Sequence, residues 1–235
     1  LQLKAQPRCP RRVVLPHPRM KSSSEHKERI ARPFGWVVIS LLTSFVLFQI
    51  WIAVQARGPE RRVRELMPAV GAQSVDLPLT NAQLDYALQA PPSRGGATSG
   101  GRATLREYGK DKLLILNFWA TWCEPCVREM PSMLELRRTL ADSRVRMVGV
   151  SYDESWKTLL DFFRQMVGGL PREIDLAIDP RGEEAGSLRL KFGTQKLPET
   201  YVIVDGQVLA RFVNERDWTE PAMVEYFQRL LESLE

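Results

Sequence analysis

Cysteine and histidine are scarce in this sequence, which has three cysteines and two histidines among 235 residues. Three cysteines are too few for the disulfide framework that holds many small secreted domains together. A structural zinc site needs four ligands, and the two histidines, His17 and His26, both lie in the N-terminal tail. The sequence therefore predicts a domain that folds around an apolar core, without a metal.

Charge is absent from Phe34–Ala56 and is unevenly placed elsewhere. Residues 1–33 hold nine Lys/Arg and two Glu, a net charge of +7, so the remaining chain carries −2 of the total of +5. A nucleic-acid surface needs its basic residues on the folded domain. We therefore expect no nucleic-acid partner.

The uncharged run Phe34–Val54 is long enough to cross a membrane as one helix. Its 21 residues would extend about 31 Å, the thickness of a bilayer's hydrocarbon core. Trp36 and Trp51 lie near its ends, where aromatic rings favour the membrane interfaces. A buried core helix is seldom apolar all round over this length. A signal peptide cleaved after Val54–Ala56 is the other alternative, but the run is long for one, and we predict an uncleaved anchor.

The orientation of this anchor is weakly indicated, because five Lys/Arg precede it closely and four follow it. The count slightly favours a cytoplasmic N-terminus. The true start is a separate question, since Met20 opens a more usual basic leader. If translation began there, Cys9 and His17 would not belong to the protein.

Four segments are predicted along the chain: a basic cytoplasmic tail (1–33), the anchor (34–54), a charged juxtamembrane linker (55–73) and a folded domain (74–235). Within the domain we expect an edge strand at Ser74–Leu79 and a capped helical turn or two at Thr80–Ala90. The Pro/Gly/Ser-rich segment 91–101 predicts a flexible loop.

Strands and helices alternate from Lys112 onward. The predicted strands are 112–120, 144–152, 173–179 and a hairpin at Glu199–Val213 that turns at Asp205-Gly206. The predicted helices are Cys123–Leu140 with an interruption at Pro131, Glu154–Val167 ending at Gly168, 182–192, and Thr219–Leu234 with Thr219 as N-cap. This order predicts an α/β sandwich with a mixed sheet.

Cys123 and Cys126 stand two residues apart, after a predicted strand and at the start of a predicted helix. As a permanent structural disulfide, the pair would close a very short loop and stabilise the fold little. The helix N-terminus stabilises a thiolate, which is the form that attacks disulfides. The position therefore favours redox chemistry, with Cys123 attacking and Cys126, one turn inward, resolving the mixed disulfide.

The stretch FWATWCEPC resembles the active site of thioredoxins, and KLPETYVIVDGQV resembles their proline loop and last hairpin. The anchor, Glu124-Pro125 between the cysteines and the REMP that follows are similar to the TlpA/ResA branch of membrane-anchored thioredoxins. The resemblance covers Ser74–Glu235 and is strong from Lys112. It implies a thioredoxin-like sandwich and a thiol–disulfide oxidoreductase whose redox-active disulfide Cys123–Cys126 is its only redox group, with no cofactor.

The resemblance also implies roles for residues around the cysteines. Pro198 would follow a cis peptide bond, and Leu197 would offer backbone groups to an extended peptide. Trp122, Glu124 and Pro125 would tune the site and contact substrate. An ordinary proline before a strand remains the alternative for Pro198.

Two acidic positions carry the chemistry that distinguishes this sequence. Where many thioredoxins have a buried Asp this chain has Asn117, and the branch instead places a Glu three residues after the second cysteine, here Glu129. Glu129 would move protons for Cys126, or it is a solvated helix carboxylate, the commoner fate of Glu. The charge of Glu124 should disfavour a thiolate at Cys123 and so make the protein a reductant.

The resulting prediction is a monomeric, single-pass protein of the bacterial inner membrane with its domain in the periplasm or outside the cell. It would reduce disulfides of a client, apocytochrome c by family analogy, with electrons from a membrane-embedded donor. A reductant for a copper site and a thioredoxin-like binding or redox-sensing module without turnover stay open as alternatives. A peroxidase is disfavoured, because its motif needs Thr three residues before the cysteine and that position is Ala120.

Overall fold

The computed structural model describes residues 24–91, 101–110 and 112–234. The chain divides into two compact units between Val54 and Gln55. Predictions for the first part of the basic tail, including Cys9, His17 and Met20, and for residues 92–100 of the glycine-rich loop lie outside the described residues.

The apolar run of the first unit is helical, as predicted. Helix α1 spans Ser24–Leu66. Its stretch Gly35–Ile52 has the length and composition to cross a membrane, and none of it is buried. Trp36 and Trp51 are exposed like their apolar neighbours. An exposed surface of this apolar character fits hydrocarbon better than water.

The second unit starts earlier than the predicted linker suggests. Val63, Met67 and Val70 are buried members of its hydrophobic core, although we expected 55–73 to connect two regions. Val63 lies in the last turn of α1, and Met67 and Val70 lie in the turns that follow this helix. Their charged neighbours in the sequence suggested a solvated segment instead.

A mixed eight-stranded sheet forms the framework of the second unit, in the spatial order β1-β8-β7-β4-β5-β6-β2-β3. Strand β5 is parallel to β4 and β6, and the other pairs are antiparallel. The strands are β1 Gln73–Pro78, β2 Ala87–Gln89, β3 Arg102–Thr104, β4 Leu113–Trp119, β5 Val145–Ser151, β6 Asp175–Ile178, β7 Glu199–Val204 and β8 Gln207–Val213. This arrangement confirms the predicted mixed sheet and places β4, buried along its whole length, near its centre.

Six helices accompany the sheet in the described part of this unit. They are α2 Asn81–Leu84, α3 Leu105–Gly109, α4 Glu124–Leu140, α5 Trp156–Val167, α6 Leu188–Phe192 and α7 Pro221–Glu232. Helix α5 matches its predicted signals, since the Ser155 hydroxyl accepts a bond from the amide of Thr158 and Gly168 ends the helix with φ 80°. That left-handed conformation suits glycine.

Three details of the prediction are wrong. Pro131 does not interrupt α4, because Met130, Met133 and Leu134 on the same helix are buried and their packing outweighs one lost backbone bond. Helix α7 has Glu220 and not Thr219 as its N-cap, with Pro221 in the first turn. The helix expected over 182–192 is limited to α6.

The region before Lys112 contains a hairpin that the sequence left undecided. Strand β2 pairs with β3 and also with β6, so the hairpin extends the sheet at one edge. Fully buried Leu88 gives β2 its core contact, and the pattern around it predicted only a helical turn. Strand β1 occupies the opposite edge, as expected.

Candidate functional site

The cysteine pair lies where the central strand β4 ends and helix α4 begins. Trp119 closes β4, and Cys123 is the N-cap of α4 in an extended conformation. The Cys123 amide donates to the Ala120 carbonyl at 3.2 Å, and the Val127 amide donates to the Cys123 carbonyl at 3.0 Å. The predicted strand–cysteine–helix arrangement is confirmed, so the pair lies at the N-terminal end of α4.

Cys123 and Cys126 form a disulfide, with Cα atoms 5.3 Å apart. The two sulfur-bearing residues differ in access: Cys123 is 7% exposed and Cys126 is fully buried. An incoming thiol or disulfide can therefore approach only Cys123. Cys126 is placed to react with its neighbour and not with solvent.

The proline loop meets the cysteines at the same edge of the sheet. The Leu197–Pro198 peptide bond is cis, which confirms that prediction. Strand β7 begins at the next residue and pairs with β4 so that Glu199 is level with Phe118. Because the pair is antiparallel, the start of β7 and the end of β4 lie side by side.

The surface at this edge is partly apolar. Trp122 is 62% exposed, Pro125 and Leu197 are half-buried, and Pro198 is buried. A large exposed aromatic side chain beside a reactive disulfide offers a contact for a protein substrate. The contacts with substrate that we expect of these residues stay predictions.

Glu129 is buried and not a solvated helix carboxylate, since it is only 3% exposed. Three groups donate to its carboxylate: the Asn117 side-chain amide at 3.1 Å, the Trp218 indole at 3.2 Å and the Arg216 backbone amide at 3.3 Å. Burial raises the pKa of Glu129 to about 7, and the three donors oppose that rise. A carboxyl group with such a pKa can take up and release a proton near neutral pH.

Asn117 connects Glu129 to the proline-loop strand. Its side-chain amide also donates to the Thr200 hydroxyl at 2.9 Å, and Asn117 itself is fully buried. An amide cannot titrate as a carboxyl does. The titrating group on this side of the sheet is therefore Glu129, on α4, and not the residue at position 117 of β4.

Sequence reasoning missed Arg216 and Trp218, which bind Glu129 from the segment between β8 and α7. They lie almost 90 residues further along the chain, and no local pattern links them to the cysteines. Together with residues of α4 this segment lines a cleft of about 580 Å³ that reaches Glu129. The cleft gives solvent a route toward an otherwise buried carboxylate.

Glu124 has a very different environment from Glu129. Its side chain is 85% exposed and pairs with Arg128, whose guanidinium nitrogen lies 2.7 Å from the Glu124 carboxylate. Arg128 also binds Glu215 at 2.6 Å. Solvent and this cation both weaken the field of Glu124 at Cys123. Glu124 should therefore affect the redox potential much less than its place beside Cys123 in the sequence suggests.

Two further buried carboxylates flank the site and were not found from the sequence. Asp153 follows β5 and accepts bonds from Thr121, two residues before Cys123. Glu199 follows Pro198 and is bound by the Tyr201 hydroxyl and the Arg211 guanidinium. In the sequence, each of these acidic residues stands next to apolar strand residues. This local pattern indicates a buried carboxylate and could have identified both residues.

No group of three or more His, Cys, Asp or Glu side chains in the described ranges could hold a metal ion.

Known proteins are similar to this chain in sequence. A family model described as the AhpC/TSA family matches residues 84–211. The thiol-disulfide oxidoreductase ResA of Bacillus thuringiensis subsp. konkukian is 30% identical over 132 residues, which cover 56% of this chain and 70% of that protein. The thiol:disulfide interchange protein CycY of Rhizobium leguminosarum bv. viciae is 32% identical over 137 residues, covering 56% and 68% of the two chains.

Among solved structures, a putative thiol:disulfide interchange protein DsbE from Chlorobium tepidum is similar to this chain. It is 26% identical, with a TM-score of 0.46, and the match covers 65% of this chain and 99% of that one.

Proposed function

The chain belongs to the AhpC/TSA family and is a thiol–disulfide oxidoreductase of the ResA, CycY and DsbE type, and from this premise we propose that it is a membrane-tethered reductant of exported proteins. The observation that carries the proposal is the pairing of an accessible Cys123 with a buried Cys126 on a helix that also holds buried Glu129.

The proposed reaction moves two electrons from the protein to a client disulfide. The Cys123 thiolate attacks one client sulfur, forms a mixed disulfide and releases the other client sulfur as a thiolate. Cys126 then loses its proton and attacks Cys123, which frees the second client thiol and leaves the Cys123–Cys126 disulfide. A membrane-embedded donor returns two electrons and restores the dithiol.

Glu129 is proposed to take the proton of Cys126 in the resolving step. Both residues lie on α4, three positions apart, so their side chains share one side of the helix. A pKa of about 7, raised by burial, suits a group that alternates between acid and base at neutral pH. The cleft at Arg216 and Ser132 would let that proton exchange with solvent.

Client contact is proposed to use Trp122, Pro125, Leu197 and Pro198. The exposed ring of Trp122 would supply apolar area, and the loop before Pro198, at the same sheet edge, would offer backbone groups to an extended peptide. The proposed client is apocytochrome c, which is the client that the family resemblance implies; the protein would act as a monomer with no cofactor.

The proposed location is the bacterial inner membrane, with α1 as a single anchor and the second unit outside the cytoplasm. An oxidising compartment is where selected disulfides need a dedicated reductant. A reporter that is active only outside the cytoplasm, fused after Glu235, should be active. Activity of a cytoplasm-dependent reporter at the same position would contradict both the location and the client.

Trapping the client tests the function most directly. In full-length Cys126→Ser, expressed in its membrane, the mixed disulfide on Cys123 cannot be resolved and should accumulate. Mass spectrometry of the reducible adduct should identify an apocytochrome c, and Cys123→Ser/Cys126→Ser is the control that traps nothing. A copper-site protein in the adduct would replace the client, whereas no adduct and no turnover by the wild type would favour a binding module.

A further inference from the structure

Asp153 is a buried carboxylate at the end of β5, 5% exposed, in the gap beside the cysteine loop. It accepts bonds from the Thr121 hydroxyl at 2.6 Å, the Thr121 backbone amide at 3.0 Å and the Ser151 hydroxyl at 2.6 Å. Three donors therefore face its two oxygens, and both oxygens act as acceptors.

These bonds fasten the loop that carries Cys123 to the neighbouring strand. Thr121 is held through both its backbone and its side chain, and the Tyr152 amide donates to the Trp119 carbonyl at 3.0 Å. The short segment from β4 to α4 is therefore tied to the end of β5 at two points. Trp122 and Cys123 follow directly, so their positions depend on this attachment.

The charge of Asp153 is not matched by a cation in the structure. None of the described Lys or Arg side chains forms an ion pair with it, and its partners are neutral hydroxyl and amide groups. The Asp153 carboxylate lies 3.0 Å from the Thr121 amide, and two residues of extended chain span at most about 7 Å, so it is at most about 12 Å from the Cα atom of Cys123. This upper bound is comparable to the Debye length of about 8 Å in physiological salt. Burial further limits screening of its field.

We propose that Asp153 is the positioning residue of the cysteine loop and that its buried charge keeps the Cys123–Cys126 pair reducing. It holds Thr121, and through Thr121 the loop of Trp122 and Cys123, against β5. Its negative charge disfavours the thiolate form of Cys123, which destabilises the reduced protein relative to the disulfide. This assigns to Asp153 the tuning that the sequence suggested for Glu124, which is exposed and paired with Arg128.

The other ionisable groups around this edge are Glu124 and Glu129 on α4, buried Glu199 after Pro198 and exposed Lys196 in the loop before Pro198. Any test must leave all four unchanged. The proposal concerns the thiol–disulfide exchange itself and needs no particular client, so it can be measured with glutathione: two thiols of the protein lose two electrons and two protons, and one glutathione disulfide becomes two glutathione thiols.

Two substitutions, Asp153→Asn and Thr121→Val, separate the effect of the charge from the effect of loop position in the full-length, detergent-solubilised protein. Asp153→Asn keeps the shape, and with one hydroxyl turned round it can keep the hydrogen bonds, but it loses the charge. The equilibrium with glutathione should shift about 10-fold toward the dithiol, a rise of about 30 mV, and the alkylation midpoint of Cys123 should move to lower pH. Glu154→Gln, which removes an exposed carboxylate one residue away, should change neither.

Thr121→Val keeps the charge of Asp153 and removes one attachment of the loop. Attack of Cys123 on a disulfide should slow about 10-fold with the glutathione equilibrium nearly unchanged, and Thr121→Ser, which retains the hydroxyl, should restore the rate. An Asp153→Asn protein with the wild-type equilibrium would overturn the role of the charge. A Thr121→Val protein as fast as the wild type would overturn the role in positioning, and both results would leave the thiol–disulfide activity itself intact.

Discussion

Helix α4 has a buried inner side and an exposed outer side, and each side carries a glutamate in a different environment. On the inner side, Glu129 is 3% exposed and its neighbours are the buried Cys126 and three hydrogen-bond donors. On the outer side, Glu124 is 85% exposed and paired with Arg128. The two glutamates are five positions apart on the helix.

The comparison shows that burial, and not distance along the chain from a cysteine, decides which carboxylate can take part in thiol chemistry. Desolvation raises the pKa of Glu129 to about 7. Glu124 is instead exposed to water and paired with the Arg128 guanidinium. Glu129 on the inner side should therefore take part in the thiol reaction, and Glu124 on the outer side should contribute little beyond solubility.

The largest expected difference lies between the two sulfurs. Cys123→Ser in the full-length protein should abolish reduction of a model disulfide such as insulin with dithiol as electron source, because the accessible nucleophile is gone. Turbidity of the insulin chains measures the rate. Cys126→Ser is the comparison: it should also stop turnover, yet it should still form a mixed disulfide, which Cys123→Ser cannot. Turnover that survives in Cys123→Ser would assign the attack to another group.

Loss of the inner carboxylate should have the next largest effect. Glu129→Gln retains shape and similar helix propensity but cannot accept a proton from Cys126. Reduction of the model disulfide should slow about 100-fold, the low end for general acid–base catalysis, and the pH dependence of Cys126 alkylation in the reduced protein should change. If both the rate and the alkylation profile match the wild type, the proton path must run through water or the loop at Pro198.

The same carboxylate should also make stability depend on pH. Its pKa is about 7 in the folded protein and 4.5 as the ordinary value, so between these values the folded state binds more protons than the unfolded state. The contribution is favourable below about pH 4.5, and stability falls as pH rises toward 7, by up to about 3 kcal/mol. Glu129→Gln should flatten this part of the curve of unfolding free energy against pH, measured by denaturant titration. A curve with the wild-type slope would show that Glu129 ionises normally.

Much of the inner side was predictable, because its residues lie close together in sequence. Cys123, Cys126 and Glu129 fall within seven residues, between a continuous apolar strand and a helix. The cis bond before Pro198 was predicted from the family resemblance, and the turn at Asp205-Gly206 from its own short pattern. Local pattern and family resemblance together were sufficient for the sheet centre and the redox pair.

The groups that complete the site were not predictable, because they come from distant parts of the chain. Trp218 and the Arg216 amide reach Glu129 from beyond β8, and Asp153 reaches Thr121 from the end of β5. Such contacts depend on how strands are ordered in the sheet, which hydrophobic pattern alone does not fix. Buried Val63 and Met67 were missed for a simpler reason, since their charged neighbours Arg64 and Glu65 suggested a solvated linker.

The smallest expected effect is on the outer side of α4. Glu124→Gln removes an exposed charge whose partner, Arg128, keeps its second bond to Glu215. The alkylation midpoint of Cys123 should move slightly to lower pH, and the rate of insulin reduction should stay within about twofold of the wild type, as expected for a surface ion pair. The shift should shrink further in about 1 M salt, where the Debye length falls to about 3 Å.

Arg128→Gln is the matched variant: it leaves the charge of Glu124 uncompensated and should move the midpoint in the opposite direction. A change in Glu124→Gln as large as that in Glu129→Gln, and insensitive to salt, would mean that Glu124 acts on Cys123 through direct contact and that the two sides of α4 do not differ as burial indicates.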